Sequence, residues 1–135
     1  MKICTWNVNS INARIDHLIK FIKKDQSDIY LLQELKTIED GFPKDAINNI
    51  GYQTYVNGQK AWNGVAILSK KDLKITNKKI PNYDDANSRF IETEIYLKKI
   101  NKNIKVINIY LPNGNPIETE KFDYKIKWMK KFNEY

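Results

Sequence analysis

The spacing of apolar side chains predicts a β-α-β start to the chain. Residues 2–6 have strand character and end at Asn7, and the apolar run at residues 28–32 predicts a second strand. Between these strands, Ser10 is placed to cap a helix. The apolar residues of that helix recur with the helical period and would form its buried face: Ile11, Ile15, Leu18, Ile19 and Ile22.

The rest of the chain predicts several strands and two more helices. Pro43 opens a short helix that ends near residue 50, before Gly51. Short strands are predicted at residues 52–56, 64–69 and 73–78, and longer ones at residues 90–97 and 105–110. From Ile117 onward the pattern predicts a final amphipathic helix, with an apolar face of Phe122, Ile126, Met129 and Phe132. We expect that face to pack against a partner layer.

This order of elements predicts the fold class. A β-α-β-α start followed by several strands and a helix is typical of an α/β sandwich with a mixed sheet. A length of 135 residues fits one modest domain that buries a core without disulfides. The chain contains no internal repeat, linker or low-complexity tract.

Composition narrows the class of protein further. A hydrophobic content of 41% with 12% aromatic residues fits a globular chain rather than a disordered one. The single cysteine, Cys4, excludes an internal disulfide and a cysteine-based zinc site, and it favours a reducing compartment. The start of the chain lacks the apolar segment of a signal peptide, and no apolar run is long enough to span a membrane. We therefore expect a soluble, cytoplasmic protein without a membrane partner.

The net charge of +7 favours a polyanionic partner, because lysine and arginine neutralise phosphates with release of counterions. Heavy use of Lys, Asn and Ile is also typical of compositional bias, so charge alone leaves a nucleic-acid partner and a solvated surface equally open. Only Arg14 and Arg89 among the 23 basic residues are arginines, which makes these two more informative than any single lysine.

Polar side chains stand at the ends of three predicted strands. Asn7, Glu34 and Tyr110 each lie at, or within two residues of, the carboxyl end of a strand. Ligand sites of open α/β sheets gather at such ends, because the sheet holds polar groups rigidly while loops give access. A turn asparagine, a surface glutamate and a packed tyrosine would fit the same positions. The spacing by itself therefore leaves a site and an ordinary surface open.

Five stretches, in this order along the chain, carry a family resemblance: "TWNVNSINAR" (5–14), "LLQELK" (31–36), "NGVAILSK" (63–70), "NSRFIETEI" (87–95) and "VINIYLPNG" (106–114). Together they resemble the exonuclease III family of abasic-site endonucleases, within the endonuclease/exonuclease/phosphatase superfamily. The resemblance extends over essentially the whole chain. It implies the N-terminal half of a four-layered α/β sandwich, with the second sheet missing or incomplete.

The resemblance also implies a metal site. The asparagine of the family's N-x-N and the glutamate of its LQE-x-K serve a divalent metal, and these positions are Asn7 and Glu34 here. The implied cofactor is Mg²⁺, with Mn²⁺ as an alternative. Mg²⁺ prefers hard oxygen ligands and few protein carboxylates, because it keeps waters and substrate phosphate in its shell.

Contacts with DNA follow from the same resemblance. Tyr110 matches a catalytic tyrosine that the family holds close to the target phosphate, and Asn113 matches a phosphate-contacting amide. Arg89 would bind the DNA backbone through bidentate hydrogen bonds of its guanidinium, and Lys36 is a further basic group near the phosphate. The aromatic residue before Asn63, which is Trp62, falls at a position that varies within the family.

Segments that the family needs to activate water do not occur in these 135 residues. The Gly-Asp-x-Asn segment and the terminal Ser-Asp-His are absent, and the one histidine, His17, falls on the polar side of the first predicted helix. Asp85 and Asn87 imitate Asp-x-Asn, but they stand in a loop without the leading glycine, and we reject them as the catalytic pair. We expect residues 1–135 to be an N-terminal portion of the domain, from a fragment or a truncated gene product, and inactive alone.

The leading hypothesis is a Mg²⁺-dependent DNA-repair nuclease that cuts duplex DNA beside abasic sites and trims 3′ ends. One alternative is a catalytically dead remnant that still binds DNA. Another is a superfamily phosphatase or phosphodiesterase with a non-DNA substrate. The resemblance implies monomeric full-length proteins, whereas an uncovered apolar helix face predicts marginal stability or self-association of this chain.

Overall fold

The computed structural model describes residues 1–135 and contains two β-sheets with helices on their outer sides. Its elements in chain order are β1 (Ile3–Asn7), α1 (Ile11–Asp25), β2 (Ile29–Gln33), α2 (Lys44–Asn48), β3 (Gln53–Asn57), β4 (Val65–Ser69), β5 (Lys74–Asn77), β6 (Phe90–Leu97), β7 (Lys102–Ile109) and α3 (Glu120–Glu134). A single turn of 3₁₀ helix at Glu39–Gly41 precedes α2. None of the helices combines the length and the apolar character that crossing a bilayer requires.

The first sheet is mixed, as predicted, with the strand order β1-β2-β4-β3. Strands β1 and β2 are parallel and are joined by the crossover helix α1, whereas β4 runs antiparallel to both β2 and β3. In the parallel pair Asn7 lies opposite Gln33. The carboxyl ends of β1 and β2 therefore meet at one edge of the sheet, and the residue after β2 lies beside Asn7.

The second sheet contains three antiparallel strands in the order β5-β6-β7. Phe90 at the start of β6 pairs with Ile109 at the end of β7. This pairing brings Arg89 and Tyr110, which flank those two residues, to the same end of the sheet. The predicted α/β fold is confirmed, and the second sheet, which was expected to be missing or incomplete, is present with these three strands.

Three apolar clusters separate four layers, because successive side chains of a strand point to opposite faces. The first cluster joins the first sheet to α1 and α2 and includes Leu18, Ile22, Leu32, Ile47 and Leu68. The second lies between the sheets and includes Ile29, Val65, Ile67, Ile91 and Val106. The third joins the second sheet to α3 and contains Ile80, Phe90 and Trp128. The layers are therefore helix, sheet, sheet and helix.

Helix α1 begins after Ser10, as predicted, but the serine does not cap it in the predicted way. The Ser10 side chain makes no capping hydrogen bond, and its φ is +83°. Its backbone N–H donates instead to the carbonyl of Glu34 at 2.8 Å, and the N–H of Ile11 donates to the carbonyl of Leu35 at 3.1 Å. The chain before α1 thus continues the pairing of β1 with β2, which attaches the start of the helix to the segment that carries Glu34.

The packed face of α3 differs from the prediction. Tyr124, Trp128 and Phe132 contact the second sheet, whereas Ile126 and Met129 are 48% and 44% exposed. Trp128 is buried, and its ring stacks on Phe132 with centroids 5.6 Å apart. The aromatic stripe at four-residue spacing buries more surface than the aliphatic one, so it decides the orientation of the helix. The expected partner layer of α3 is therefore the second sheet of the same chain.

Candidate active site

Three strand ends meet at one carboxylate. Asn7 is the last residue of β1, Glu34 follows β2, and Tyr110 follows β7. Oε1 of Glu34 accepts a hydrogen bond from Nδ2 of Asn7 at 2.6 Å and another from the Tyr110 hydroxyl at 2.8 Å. The structure therefore brings together all three strand-end residues that the sequence pattern singled out, and it joins the two sheets at this point.

The backbone after β2 turns two charged side chains to the same side. Glu34 and Lys36 both have left-handed conformations, with φ of +57° and +56°, while Leu35 between them is buried. The N–H of Leu35 donates to the carbonyl of Gly64 at 3.2 Å. A Cβ on Gly64, whose φ is +87°, would lie 2.9 Å from the Cβ of Leu35. Glycine there permits the close approach that anchors this segment to the start of β4.

Lys36 is the cation nearest to the Glu34 carboxylate. Its Nζ lies 3.5 Å from Oε2 of Glu34 and donates to Oδ1 of Asn9 at 2.5 Å. The Glu34 side chain is 21% exposed, so its open edge faces solvent. Burial raises the pKa of Glu34, but the hydrogen bonds from Asn7 and Tyr110 and the charge of Lys36 outweigh it, and the pKa lies below its usual range. The carboxylate is therefore ionised at neutral pH.

The Tyr110 hydroxyl is a hydrogen-bond donor in this arrangement. Burial raises the pKa of Tyr110, and its hydrogen bond to the Glu34 carboxylate raises it further. The phenol consequently stays protonated at neutral pH. It carries a proton that it can direct at a carboxylate or at another anionic oxygen in the same place.

Arg89 lies directly behind Tyr110. Its Nη1 donates to the Tyr110 carbonyl at 3.1 Å, and its guanidinium carbon lies 4.7 Å from the centroid of the Tyr110 ring. The ring of Tyr124 lies on the same guanidinium at 5.8 Å. Nε of Arg89 is buried without a hydrogen-bond partner, and Arg89 forms no salt bridge. Two aromatic rings thus hold a cation whose charge no carboxylate neutralises.

Asn113 is placed apart from this cluster. It lies exposed in the loop after β7, and its Oδ1 accepts a hydrogen bond from Nδ2 of Asn115 at 2.8 Å. Its carbonyl accepts from Nζ of Lys125 at 3.2 Å. No hydrogen bond joins Asn113 to Glu34 or Tyr110, so its predicted phosphate contact stays a prediction.

A buried amide pair, which sequence reasoning missed, fixes the two sheets to each other below the site. Nδ2 of Asn108 donates to the carbonyls of Leu32 and Ala66, both at 2.8 Å, and its Oδ1 accepts from Nε2 of Gln33 at 2.7 Å. Asn108 belongs to β7, and its partners belong to β2 and β4. Because Tyr110 is two residues further along, this contact sets the position of Tyr110 relative to Glu34. The available signal was an asparagine within the apolar strand sequence "VINIY".

An exposed tryptophan stands beside the cluster. Trp62 is 70% exposed and lies in the loop between β3 and β4. The next residue, Asn63, accepts a hydrogen bond on its carbonyl from the N–H of Lys36 at 2.9 Å. A large aromatic ring in water next to a charged site is unusual for a surface residue. Its position was visible in the sequence, but its exposure was not.

The remaining acidic groups and the histidine form no second centre. His17 is exposed on α1, as predicted. Asp85 is buried and accepts hydrogen bonds from residues of α3. No group of three or more His, Cys, Asp or Glu side chains is placed to hold a metal ion. The metal-ligand candidates are therefore the oxygens of Asn7 and Glu34.

Fold and site together define a class: a four-layered α/β sandwich with a carboxylate, an amide and a tyrosine at converging strand ends. The chain belongs to the Endonuclease/Exonuclease/phosphatase family, which it matches over residues 4–132. The family resemblance seen in the sequence motifs is thereby confirmed.

The relatives of the chain are DNA-repair nucleases. It is 36% identical to exodeoxyribonuclease III of Haemophilus influenzae, over 100% of this chain and 51% of that protein. Its fold matches that of a 3′ phosphatase from Neisseria bound to a product DNA hairpin, with a TM-score of 0.91, 36% identity and coverage of 100% of this chain and 51% of the other. An AP endonuclease from Archaeoglobus fulgidus matches with a TM-score of 0.89, 33% identity and coverage of 100% and 50%. The chain spans about half the length of the Haemophilus protein and a smaller share of other curated relatives that it matches.

Proposed function

We propose that this chain carries the metal- and phosphate-binding part of a DNA-repair nuclease of the exonuclease III type. The reaction is hydrolysis of phosphodiester bonds in duplex DNA, at abasic sites and at 3′ ends. The observation that supports this proposal most is that Asn7 and Tyr110 both donate hydrogen bonds to Oε1 of Glu34. The relatives of the chain include an exonuclease and an abasic-site endonuclease.

Asn7 and Glu34 suit a hard divalent cation, for which we propose Mg²⁺, with Mn²⁺ as a substitute. Their donor atoms are the oxygens of one amide and of one ionised, partly exposed carboxylate. Mg²⁺ binds through few protein carboxylates and keeps several waters, and such a small oxygen set fits that preference. When bound, the ion would stabilise negative charge on a phosphate oxygen.

The basic and hydroxyl groups around Glu34 suit a phosphate. The neutral Tyr110 hydroxyl and the Lys36 ammonium both lie within 3.5 Å of the Glu34 carboxylate and donate toward its position. Arg89, held against the Tyr110 ring, offers a guanidinium fork that matches phosphate geometry. Asn113 would approach the phosphate from the loop after β7. In this proposal Tyr110 touches the target phosphate, and the other three residues orient the DNA backbone.

Duplex DNA is the substrate that the surface around the site favours. The chain has a net charge of +7, and the exposed Trp62 beside Lys36 offers an aromatic surface to a nucleotide. A soluble phosphoinositide would use the phosphate-binding groups but would have no use for an aromatic surface outside the site. We therefore place DNA before the non-DNA substrates of the superfamily.

Binding without turnover is the activity we propose for residues 1–135 taken alone. The exposed His17 makes no hydrogen bond with the site, and the buried Asp85 accepts hydrogen bonds from α3. Neither His17 nor Asp85 is therefore placed to act as a general base toward water at this site. Because general-base assistance contributes about 10²–10⁴-fold in rate, cleavage without it would be slow.

The experiment compares the purified chain with its Glu34→Gln variant on an abasic duplex, with Mg²⁺ and with EDTA. Cleavage by the chain should not exceed that of the variant, whereas broadening of the Asn7 amide signals by Mn²⁺ should disappear in the variant. Affinity for the duplex should fall with salt, at about −0.9 log units per log unit of salt for each phosphate contact.

Three results would contradict the proposal. Affinity for the duplex that does not depend on salt would exclude a phosphate-binding surface. Tighter binding of a phosphoinositide than of the duplex at equal salt would favour the non-DNA branch of the superfamily. A third result, turnover well above that of Glu34→Gln, would show that another residue activates water.

A further inference from the structure

Asp85 is a buried carboxylate that the proposed chemistry does not use. It lies in the loop between β5 and β6 and is only 7% exposed. Its oxygens accept hydrogen bonds from the Tyr124 hydroxyl at 2.8 and 3.0 Å and from the indole Nε1 of Trp128 at 3.1 Å. The backbone N–H of Asn87 donates to it at 2.9 Å. Both aromatic donors belong to α3.

No cation neutralises this buried charge. Asp85 forms no salt bridge, although the chain contains 23 lysines and arginines. Burying a carboxylate on hydrogen bonds alone is costly, and apolar contacts such as those of Phe90 and Trp128 already attach α3 to the second sheet. Docking of the helix therefore does not by itself explain why a carboxylate is present.

The hydroxyl that Asp85 holds belongs to the ring that covers Arg89. The guanidinium carbon of Arg89 lies 5.8 Å from the centroid of the Tyr124 ring and 4.7 Å from that of the Tyr110 ring. Burial raises the pKa of Tyr124 to about 12, and the hydrogen bond to Asp85 contributes to the rise, so the hydroxyl remains a donor at neutral pH. Tyr110 in turn donates to Glu34. A continuous set of contacts thus leads from Asp85 to the candidate active site.

We propose that Asp85 is a positioning residue, whose buried carboxylate fixes the Tyr124 ring and thereby holds the Arg89 guanidinium beside Tyr110 for binding a DNA phosphate. This inference rests on the proposed function through the role of Arg89. Its structural part, the link from Asp85 to Arg89, can be tested separately from DNA binding. A guanidinium held in contact with two rings loses less freedom on binding an anion than a mobile one, which is how positioning improves affinity.

The test uses the two-arginine composition of the chain. The side-chain Nε–Hε signals of Arg89 and Arg14 can be told apart by NMR, and Arg14, exposed on α1, serves as an internal reference. Asp85→Asn removes the charge with little change of shape, and Tyr124→Phe removes the hydroxyl but keeps the ring. Asp84→Asn removes the same charge one residue earlier, from a side chain that is 95% exposed.

We expect Asp85→Asn and Tyr124→Phe to shift or broaden the Arg89 signal and to leave that of Arg14 unchanged. Asp84→Asn should leave both signals unchanged. If Asp85→Asn does not fold, Tyr124→Phe still tests the link, because it removes a single hydroxyl. An unchanged Arg89 signal in whichever of the two variants folds would overturn the proposal.

DNA affinity supplies the second readout. Arg89→Ala should weaken binding to a duplex about tenfold at low salt, as for the loss of one phosphate contact. Asp85→Asn should weaken duplex binding by no more than Arg89→Ala does. The double variant should bind the duplex no more weakly than Arg89→Ala alone. Losses that multiply in the double variant would show that Asp85 does not act through Arg89, which overturns the proposal. If Arg89→Ala leaves affinity unchanged while Asp85→Asn shifts the Arg89 signal, the positioning is supported and the phosphate role of Arg89 is wrong.

Discussion

Two glutamates of this chain have nearly the same polar neighbours and very different surroundings. Oε1 of Glu34 accepts from Asn7, and Oε1 of Glu92 accepts from Asn77 at 2.9 Å. Each carboxylate also accepts from a tyrosine hydroxyl, that of Tyr110 for Glu34 and that of Tyr135 for Glu92. Each has a lysine Nζ at 3.5 Å, that of Lys36 and that of Lys105 respectively. The pKa of each lies below its usual range for the same kind of reason, since these donors outweigh the effect of burial.

The surroundings separate them. Glu92 lies within β6 with its side chain 0% exposed, and Thr76 donates a further hydrogen bond to it. Glu34 follows the end of β2 in a left-handed conformation, with its side chain 21% exposed. The set of partners is therefore not what makes a carboxylate a candidate site. Its place at a strand end, with an open edge toward solvent, distinguishes Glu34.

The comparison predicts that Glu92 serves stability, while Glu34 serves binding. Glu92→Ala would leave three neutral donors and the Lys105 ammonium without the buried acceptor that they share. We expect the free energy of unfolding to fall by about 3 kcal/mol, the usual range for breaking a buried charged network. Glu34→Ala should cost less than about 1 kcal/mol, because water can replace the lost partners. Chemical denaturation of both variants checks the difference.

Glu94→Ala is the matched control for Glu92→Ala. It removes a glutamate from the same strand two residues later, on a side chain that is only half-buried. A loss of stability in Glu94→Ala as large as in Glu92→Ala would attribute the effect to the strand rather than to the network. Equal losses in Glu34→Ala and Glu92→Ala would remove the distinction between the two carboxylates.

Lys36 beside Glu34 and Lys105 beside Glu92 provide the next test. Lys36→Met should weaken binding to duplex DNA about tenfold at low salt and reduce the salt slope by about one unit, because one phosphate contact is lost. Lys105→Met removes the same charge beside the closed glutamate and should change both quantities much less. Titrations at several salt concentrations measure affinity and slope together. Equal effects of the two substitutions would mean that DNA responds to the net charge of +7 rather than to the site.

Sequence reasoning was reliable where a local pattern decides the structure. The strand character of residues 2–6 and the apolar run at residues 28–32 located the strand ends, and with them Asn7 and Glu34. It failed where side chains compete for one core, as on α3, where Trp128 is buried in place of Ile126. It also missed contacts that depend on how the two sheets meet. Gln33 and Asn108 are 75 residues apart in sequence, and no local pattern indicates that they pair.

The dependence of stability on pH tests the lowered pKa that Glu34 and Glu92 share. Both folded-state pKa values are depressed, so each carboxylate stabilises the fold above its unfolded pKa of about 4.3, and this contribution is lost as the pH falls through the folded value. Glu34→Gln and Glu92→Gln should each flatten the loss of stability below about pH 5. Unfolding by denaturant at a series of pH values measures that slope. If stability falls as steeply below about pH 5 in Glu34→Gln as in the unsubstituted chain, the donors around Glu34 do not lower its pKa.

The smallest effects are expected from the tyrosine pair. Tyr135→Phe removes a donor from the fully buried Glu92 and should lower the free energy of unfolding by about 1 kcal/mol, the usual value for one hydrogen bond. Tyr110→Phe removes the equivalent donor from Glu34, where solvent reaches the carboxylate, and should cost only about 0.5 kcal/mol. Because Tyr110 is the proposed phosphate contact, its substitution should weaken DNA binding, whereas Tyr135→Phe should not. Tyr135→Phe should therefore have the larger effect in a denaturation curve, and Tyr110→Phe the larger effect in a binding titration. If one variant has the larger effect in both measurements, the division of roles between Glu34 and Glu92 is contradicted.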